Sequence, residues 1–157
     1  MKVIIIMGSK SDLEWSQDIK SRLDEFNIQS SMRIASAHKA PQQVLEILGE
    51  YEDENVIYIT VAGRSNALSG FVDANTTQPV IACPPYSNKF SGADIFSSLR
   101  MPSGVSPLVI LEPKLAGLAA AKMIGLSDKS VRSKVAEFQK NNKNQIEQDD
   151  KEVVDNG

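Results

Sequence analysis

A doubly wound α/β domain, with five parallel strands covered on both faces by helices, is the fold class this chain predicts. Three observations carry that expectation. Short apolar runs alternate with helix-patterned stretches along the chain. The runs are almost wholly apolar, as strands buried on both faces require. Polar residues gather in the segments that follow the runs, where such sheets keep their ligands. At 157 residues, with 41% apolar and 24% charged side chains, the chain has the size and composition of one globular domain with a proper core.

The first strand is expected at Lys2–Met7, where Val3-Ile4-Ile5-Ile6 run up to Gly8. Leu13–Phe26 then reads as a helix, Ile28–Ile34 as the second strand, and Gln42–Tyr51 as a helix with Pro41 suited to its first turn. Val56–Val61 is the third strand, followed by a short helix at Ala67–Asn75. Pro79–Cys83 is the fourth strand, followed by a proline-rich loop and a helix at Ala93–Leu99. Leu108–Leu111 supplies the fifth strand. Leu115–Ile124 is a helix rich in alanine with Gly117 among them, a pattern that expects close packing against another helix or subunit. Lys129–Gln148 reads as an amphipathic C-terminal helix. The order is that of a flavodoxin-like three-layer α/β/α domain over residues 1–146, with 147–157 as a solvated acidic tail.

That tail explains the net charge. Residues 147–157 hold five carboxylates against Lys151, a net −4, so the whole-chain −3 leaves +1 for the other 146 residues. The body has no basic stripe and few aromatics, which argues against a nucleic-acid partner. The apolar run Val3–Met7 is too short for a membrane span or a signal segment. A single cysteine, Cys83, excludes an internal disulfide and a Cys-based zinc site, and fits a reducing cytoplasm.

The loops after the strands hold the candidate site. Met7-Gly8-Ser9-Lys10-Ser11-Asp12 opens the first helix, where exposed N–H groups and serine hydroxyls favour an anion. The same residues also make an ordinary helix cap. Neither GxxxxGK[ST] nor GxGxxG is present, so this is not a nucleotide-binding loop of either standard kind. Ser36-Ala37-His38-Lys39-Ala40-Pro41 carries the only histidine. Lys39 and the following helix N-terminus both disfavour an imidazolium, which leaves His38 able to accept a proton. Ala62-Gly63-Arg64-Ser65-Asn66 offers donors and a close-approach glycine, or else a turn in which Ser65 or Asn66 caps a helix. Pro84–Gly92 reads as a shaped loop or lid, and Arg100–Gly104 as a further stiff loop.

Taken together, MGSKSD, SAHKAP, AGRSN, PVIACPP, SSLRMPSG and the alanine-rich helix resemble the PurE family of purine biosynthesis, in family order and spacing over roughly residues 1–127. The family has two classes. One carries a glycine-rich loop after the third strand and isomerises N5-carboxyaminoimidazole ribonucleotide; the other has AGRSN there, with SAHK in place of SAHR, and carboxylates aminoimidazole ribonucleotide (AIR) directly with CO2. Residues 62–66 and Lys39 side with the direct carboxylase. The resemblance implies AIR and CO2 as partners, no ATP, biotin, metal or other cofactor, and a homo-octamer, with a tetramer as the alternative. His38, Lys39 and Ser65 are the expected catalytic residues: His38 as base, Lys39 and Ser65 for the developing carboxylate. Ser9, Ser11 and Arg64 are expected on the 5′-phosphate and Asp12 on a ribose hydroxyl, with Gly8, Ser36, Ala37, Gly63 and Asn66 completing the substrate contacts. The rivals are the mutase activity of the other class and a non-catalytic flavodoxin-like nucleotide-binding module. A receiver-type module would need an acidic cluster after the first strand, where this chain has Met7-Gly8-Ser9.

Overall fold

A computed structural model of the chain describes residues 1–156. Five strands form one all-parallel sheet: β1 (Lys2–Met7), β2 (Ser30–Ile34), β3 (Val56–Val61), β4 (Val80–Ala82) and β5 (Leu108–Val109), in the order β2-β1-β3-β4-β5. The helices are α1 (Leu13–Glu25), α2 (Pro41–Gly49), α3 (Leu68–Asp73), α4 (Phe96–Leu99), α5 (Pro113–Ile124) and α6 (Lys129–Asn156), with 3-10 turns at Lys10–Asp12 and Ala93–Ile95. This is the doubly wound, flavodoxin-like architecture expected, closed by a C-terminal helix.

The central strands explain the unbroken apolar runs. Every residue of β3 and β4 is buried, as are Val3 to Met7 of β1, because helices cover both faces. Alternate residues of β1 feed different cores. Val3, Ile5 and Met7 pack with Ile19, Leu23, Ala116, Ala120 and Ile124 under α1 and α5. Ile4 and Ile6 pack with Val44, Ile47, Leu68 and Val72 under α2 and α3. Gly117 lets α5 approach α1: a Cβ there would stand 2.9 Å from both Cβ and Cγ of Arg22. The small-residue helix thus packs on a helix of its own chain.

The differences from expectation lie at element ends. Ile28 does not enter β2, because its N–H closes α1 on the Leu23 carbonyl (2.9 Å) while Asn27 takes a left-handed φ of +57°. Strand β2 is an edge and only half-buried. Helix α6 starts where the Asp128 carboxylate accepts from the N–H groups of Ser130 (2.8 Å) and Val131 (3.1 Å). It then continues past Gln148 to Asn156, so the acidic residues extend a helix instead of fraying from one. Only Val131 and Val135 of α6 are buried, and residues 139–156 are all exposed.

The strand order places β1 beside both β2 and β3, and the chain leaves β1 through α1 on one face of the sheet and β3 through α3 on the other. Their carboxyl ends form the crevice where an open parallel sheet binds ligands.

Candidate active site

A cleft of about 700 Å³ opens at that crevice. Four loops wall it, one from each of β1 to β4.

The first loop, after β1, folds back on itself. The Asp12 carboxylate accepts from the Ser9 N–H (2.9 Å) and from the Ser9 hydroxyl (3.2 Å), and the Ser9 and Ser11 hydroxyls lie 2.6 Å apart. Burial raises the Asp12 pKa, while the two Ser9 bonds and the positive charge of Arg64 hold it down. Asp12 is therefore a half-buried acceptor facing the cleft, with two hydroxyls beside it that can donate to an anion.

The second loop, after β2, is shaped locally. The Ala40 N–H donates to the Ser36 carbonyl (2.8 Å), the Lys39 N–H reaches the Ser36 hydroxyl (3.3 Å), and Pro41 sets the first turn of α2. His38 and Lys39 sit on this turn, exposed at the cleft wall.

The third loop, after β3, is held from a distance. Arg64 takes a left-handed φ of +58°, an uncommon conformation for a residue with a Cβ. Its N–H donates to the Asp94 carboxylate (2.9 Å) and its carbonyl accepts from the Ser97 hydroxyl (2.8 Å). Arg64 and Ser65 are exposed to the cleft.

The fourth wall is Pro85–Lys89. The Tyr86 hydroxyl donates to the Glu112 carboxylate, which pushes the Tyr86 pKa up, and its ring meets Trp15 edge-on, centroids 5.4 Å apart. Beneath this loop Cys83 is buried, its thiol pushed up to about 12 by loss of solvent, so it is an inert part of the core.

The cleft thus gathers Gly8, Ser9, Ser11, Asp12, Ser36, Ala37, His38, Lys39, Gly63, Arg64 and Ser65, all expected from the sequence. Asn66 is different. It is 5% exposed, its amide donates to the Ser69 (2.6 Å) and Ser98 (2.9 Å) hydroxyls, and its Oδ1 accepts from the Ser69 N–H (3.3 Å). Its side chain lies inside the protein, bonded to Ser69 in the first turn of α3, and does not line the cleft. Lys89, Tyr86 and Asp94 also line the cleft. The loop holding Tyr86 and Lys89 was legible as a shaped loop, whereas no local pattern marks Asp94. Among the described residues no three His, Cys, Asp or Glu side chains are grouped so as to hold a metal ion.

Three cations (Lys39, Arg64, Lys89) and several hydroxyls face two carboxylates across the cleft. Such a surface suits a polyanionic small molecule with a sugar, and the imidazole of His38 adds a group that can move a proton.

Comparison with known proteins agrees with this chemistry. The AIR carboxylase family model matches residues 2–145. A phosphoribosylaminoimidazole carboxylase from Archaeoglobus fulgidus is 62% identical over 98% of this chain and 85% of its own length. The human bifunctional phosphoribosylaminoimidazole carboxylase/phosphoribosylaminoimidazole succinocarboxamide synthetase is 38% identical over 97% of this chain, which spans 36% of that larger protein. The crystal structure of Treponema denticola PurE superposes with a TM-score of 0.94 at 50% identity, covering 96% of this chain and 97% of that one.

Proposed function

The chain belongs to the AIR carboxylase family, and from that premise we propose that it forms 4-carboxy-5-aminoimidazole ribonucleotide from AIR and free CO2. It is an enzyme of purine biosynthesis that carboxylates AIR. Direct use of CO2 is supported by Lys39 and by the loop Ala62-Gly63-Arg64-Ser65-Asn66, which stands where the mutase class carries a glycine-rich loop. The observation that carries the reading is one cleft with His38 and Lys39 on one loop, Arg64 and Ser65 on another, and the Ser9-Ser11-Asp12 group as a further wall.

The steps follow from the substrate's chemistry. The 5-amino group of AIR pushes electron density onto C4, and that pair attacks the carbon of CO2. One C–O π pair moves to oxygen and becomes carboxylate. Lys39 and Ser65 stabilise that charge as it develops. The tetrahedral C4 still carries its hydrogen. His38 removes it as a proton, and the C–H pair restores the aromatic ring. Holding neutral, weakly bound CO2 against C4 is mainly a matter of position, which the surrounding walls supply. Ser9, Ser11 and Arg64 take the 5′-phosphate and Asp12 a ribose hydroxyl, with Gly8, Ser36, Ala37 and Gly63 shaping the wall. No step draws on ATP, biotin or a metal.

The assay offers purified protein AIR with bicarbonate and, separately, the N5-carboxylated ribonucleotide. Turnover of AIR is expected. Turnover of the N5-carboxylated compound alone would assign the mutase reaction instead, and turnover of neither would leave a binding module.

The working form is a homo-octamer. Leu126, Ile146, Val153 and Val154 are each at least two-thirds exposed in the single chain, which a covering subunit would relieve. Sedimentation should give eight times 17.1 kDa, and four times that mass would mean a tetramer. Residues 1–146 form the catalytic domain, with 147–157 an acidic extension. One free, buried cysteine fits a cytoplasmic setting, and no helix is long and apolar enough to cross a membrane.

A further inference from the structure

The corner that presents Arg64 and Ser65 has local bonds, from the Ala67 N–H to the Ser65 carbonyl (3.0 Å) and between Asn66 and Ser69, but these alone do not hold it. Four hydrogen bonds reach it from one short segment, Asp94 to Ser98, about thirty residues on. The Asp94 carboxylate accepts from the Arg64 N–H at 2.9 Å. The Ser97 hydroxyl lies 2.8 Å from the Arg64 carbonyl and 2.7 Å from the Asp94 carbonyl, sharing its proton between them, and accepts from the Asn66 N–H at 3.0 Å. The Ser98 hydroxyl accepts from the Asn66 amide at 2.9 Å.

One hydroxyl therefore bonds the residue before Ser65 and the residue after it. Ser65 is suspended between two fixed points and stays exposed to the cleft. The same bonds hold Arg64 at a φ of +58°, where a side chain is unfavourable unless its surroundings enforce it. Asp94 and Ser97 lie outside every group of residues that the family resemblance assigns to substrate.

We propose that Asp94 and Ser97 are positioning residues for the carboxylation, holding the Arg64–Ser65 corner in the conformation that meets the phosphate and the new carboxylate. This rests on the roles given above to Arg64 and Ser65. A displacement of this corner on the scale of an ångström acts on kcat, because Ser65 meets charge that exists only as the reaction proceeds.

Paired variants test it in the full-length protein. Ser97→Ala should lower kcat/KM for AIR by about tenfold to a hundredfold, with the larger part in kcat. Ser97→Thr keeps the hydroxyl and should recover most of that loss. Asp94→Asn keeps an oxygen for the Arg64 N–H and should stay well above Asp94→Ala. Calorimetric titration with AIR counts competent sites in each variant, and amide hydrogen exchange at residues 64–66 reads the corner itself. Faster exchange there in Ser97→Ala, with full site stoichiometry, is expected. Wild-type kcat/KM in Ser97→Ala would overturn the proposal, as would equal losses in the Ala and Thr variants. So would a loss that appears only as fewer competent sites. If the wild type itself fails to carboxylate AIR, the function proposed above falls, while the exchange measurement still judges the clamp.

Discussion

The two loops proposed to supply the catalytic groups are held in different ways. The His38 loop closes on itself: its bonds run from Ser36 to Lys39 and Ala40, and Pro41 stiffens the helix start beside it. The Arg64 loop adds to its local bonds four of 30 to 33 residues' separation, to Asp94, Ser97 and Ser98. It also holds a backbone conformation that its own side chain disfavours. The first loop needs little from the rest of the protein to present a base. The second presents its groups only when the chain beyond β4 has folded onto it. In the proposed mechanism, proton transfer falls to a locally bonded turn and recognition of charge to a corner that also depends on tertiary bonds.

The contrast can be broken most directly at His38. His38→Asn should reduce kcat by about 10²- to 10⁴-fold, the usual worth of a positioned base, with ribonucleotide affinity by calorimetry little changed. Lost binding with full turnover per bound substrate would remove the role given to His38.

Arg64 comes next. Arg64→Ala and Arg64→Gly should both weaken ribonucleotide binding by about tenfold to a hundredfold, since a hydrogen bond to a charged group is worth about 1.5–3 kcal/mol. They should differ in stability. Glycine relieves the left-handed backbone, so denaturant unfolding should place Arg64→Gly about 1 kcal/mol or more above Arg64→Ala. Equal stabilities would mean that the loop stores no strain, and the contrast between the two loops would lose half its content.

A smaller effect is expected at Asp12. Its pKa is raised by burial above the usual 3.8, so the folded protein holds this proton more tightly than the unfolded chain. Stability is therefore undiminished at pH values below 3.8 and falls as pH rises through the raised value, where the carboxylate ionises in a half-buried place. Asp12→Asn should melt at or above the wild type at pH 7 and show no such advantage at pH 3, while binding AIR more weakly. A variant that melts lower at pH 7 than at pH 3, relative to wild type, would reverse the sign.

The smallest effect belongs to the first loop's frame. Pro41→Ala should cost about 0.4–1 kcal/mol of stability, chiefly through a freer unfolded chain, and leave kcat/KM within about twofold. The turn keeps its Ala40 to Ser36 bond. A collapse of activity would show that this loop, too, depends on more than its own residues.

Residues close in sequence carry most of what the chain reveals by itself. Apolar runs of β-branched residues specify buried strands wherever they meet a partner, so β1 and β3 have the bounds expected for them. The serines of the first two loops act through bonds spanning a few residues, so the walls around Ser9, Asp12, His38 and Lys39 are legible in the sequence. The all-parallel sheet is legible too, through the alternation of strand and helix, while its strand order is seen only in the structure. Element ends are less so, because a single bond decides them: Ile28 gives its N–H to Leu23 and leaves the strand.

What only the tertiary structure decided lies at the Arg64 corner. Nothing near Asn66 says whether its amide faces substrate or the inside; Ser69 and Ser98 settle that by offering buried partners. Ser97 opens the SSLRMPSG motif, but nothing local marks it or Asp94 as bonded to the Arg64 corner. A hydrogen bond between residues thirty apart leaves no periodicity in the sequence, since loop closure over that distance is set by the packing of the sheet and its helices. The chain by itself determined which groups are available to the proposed chemistry. The fold determined which of them face one another.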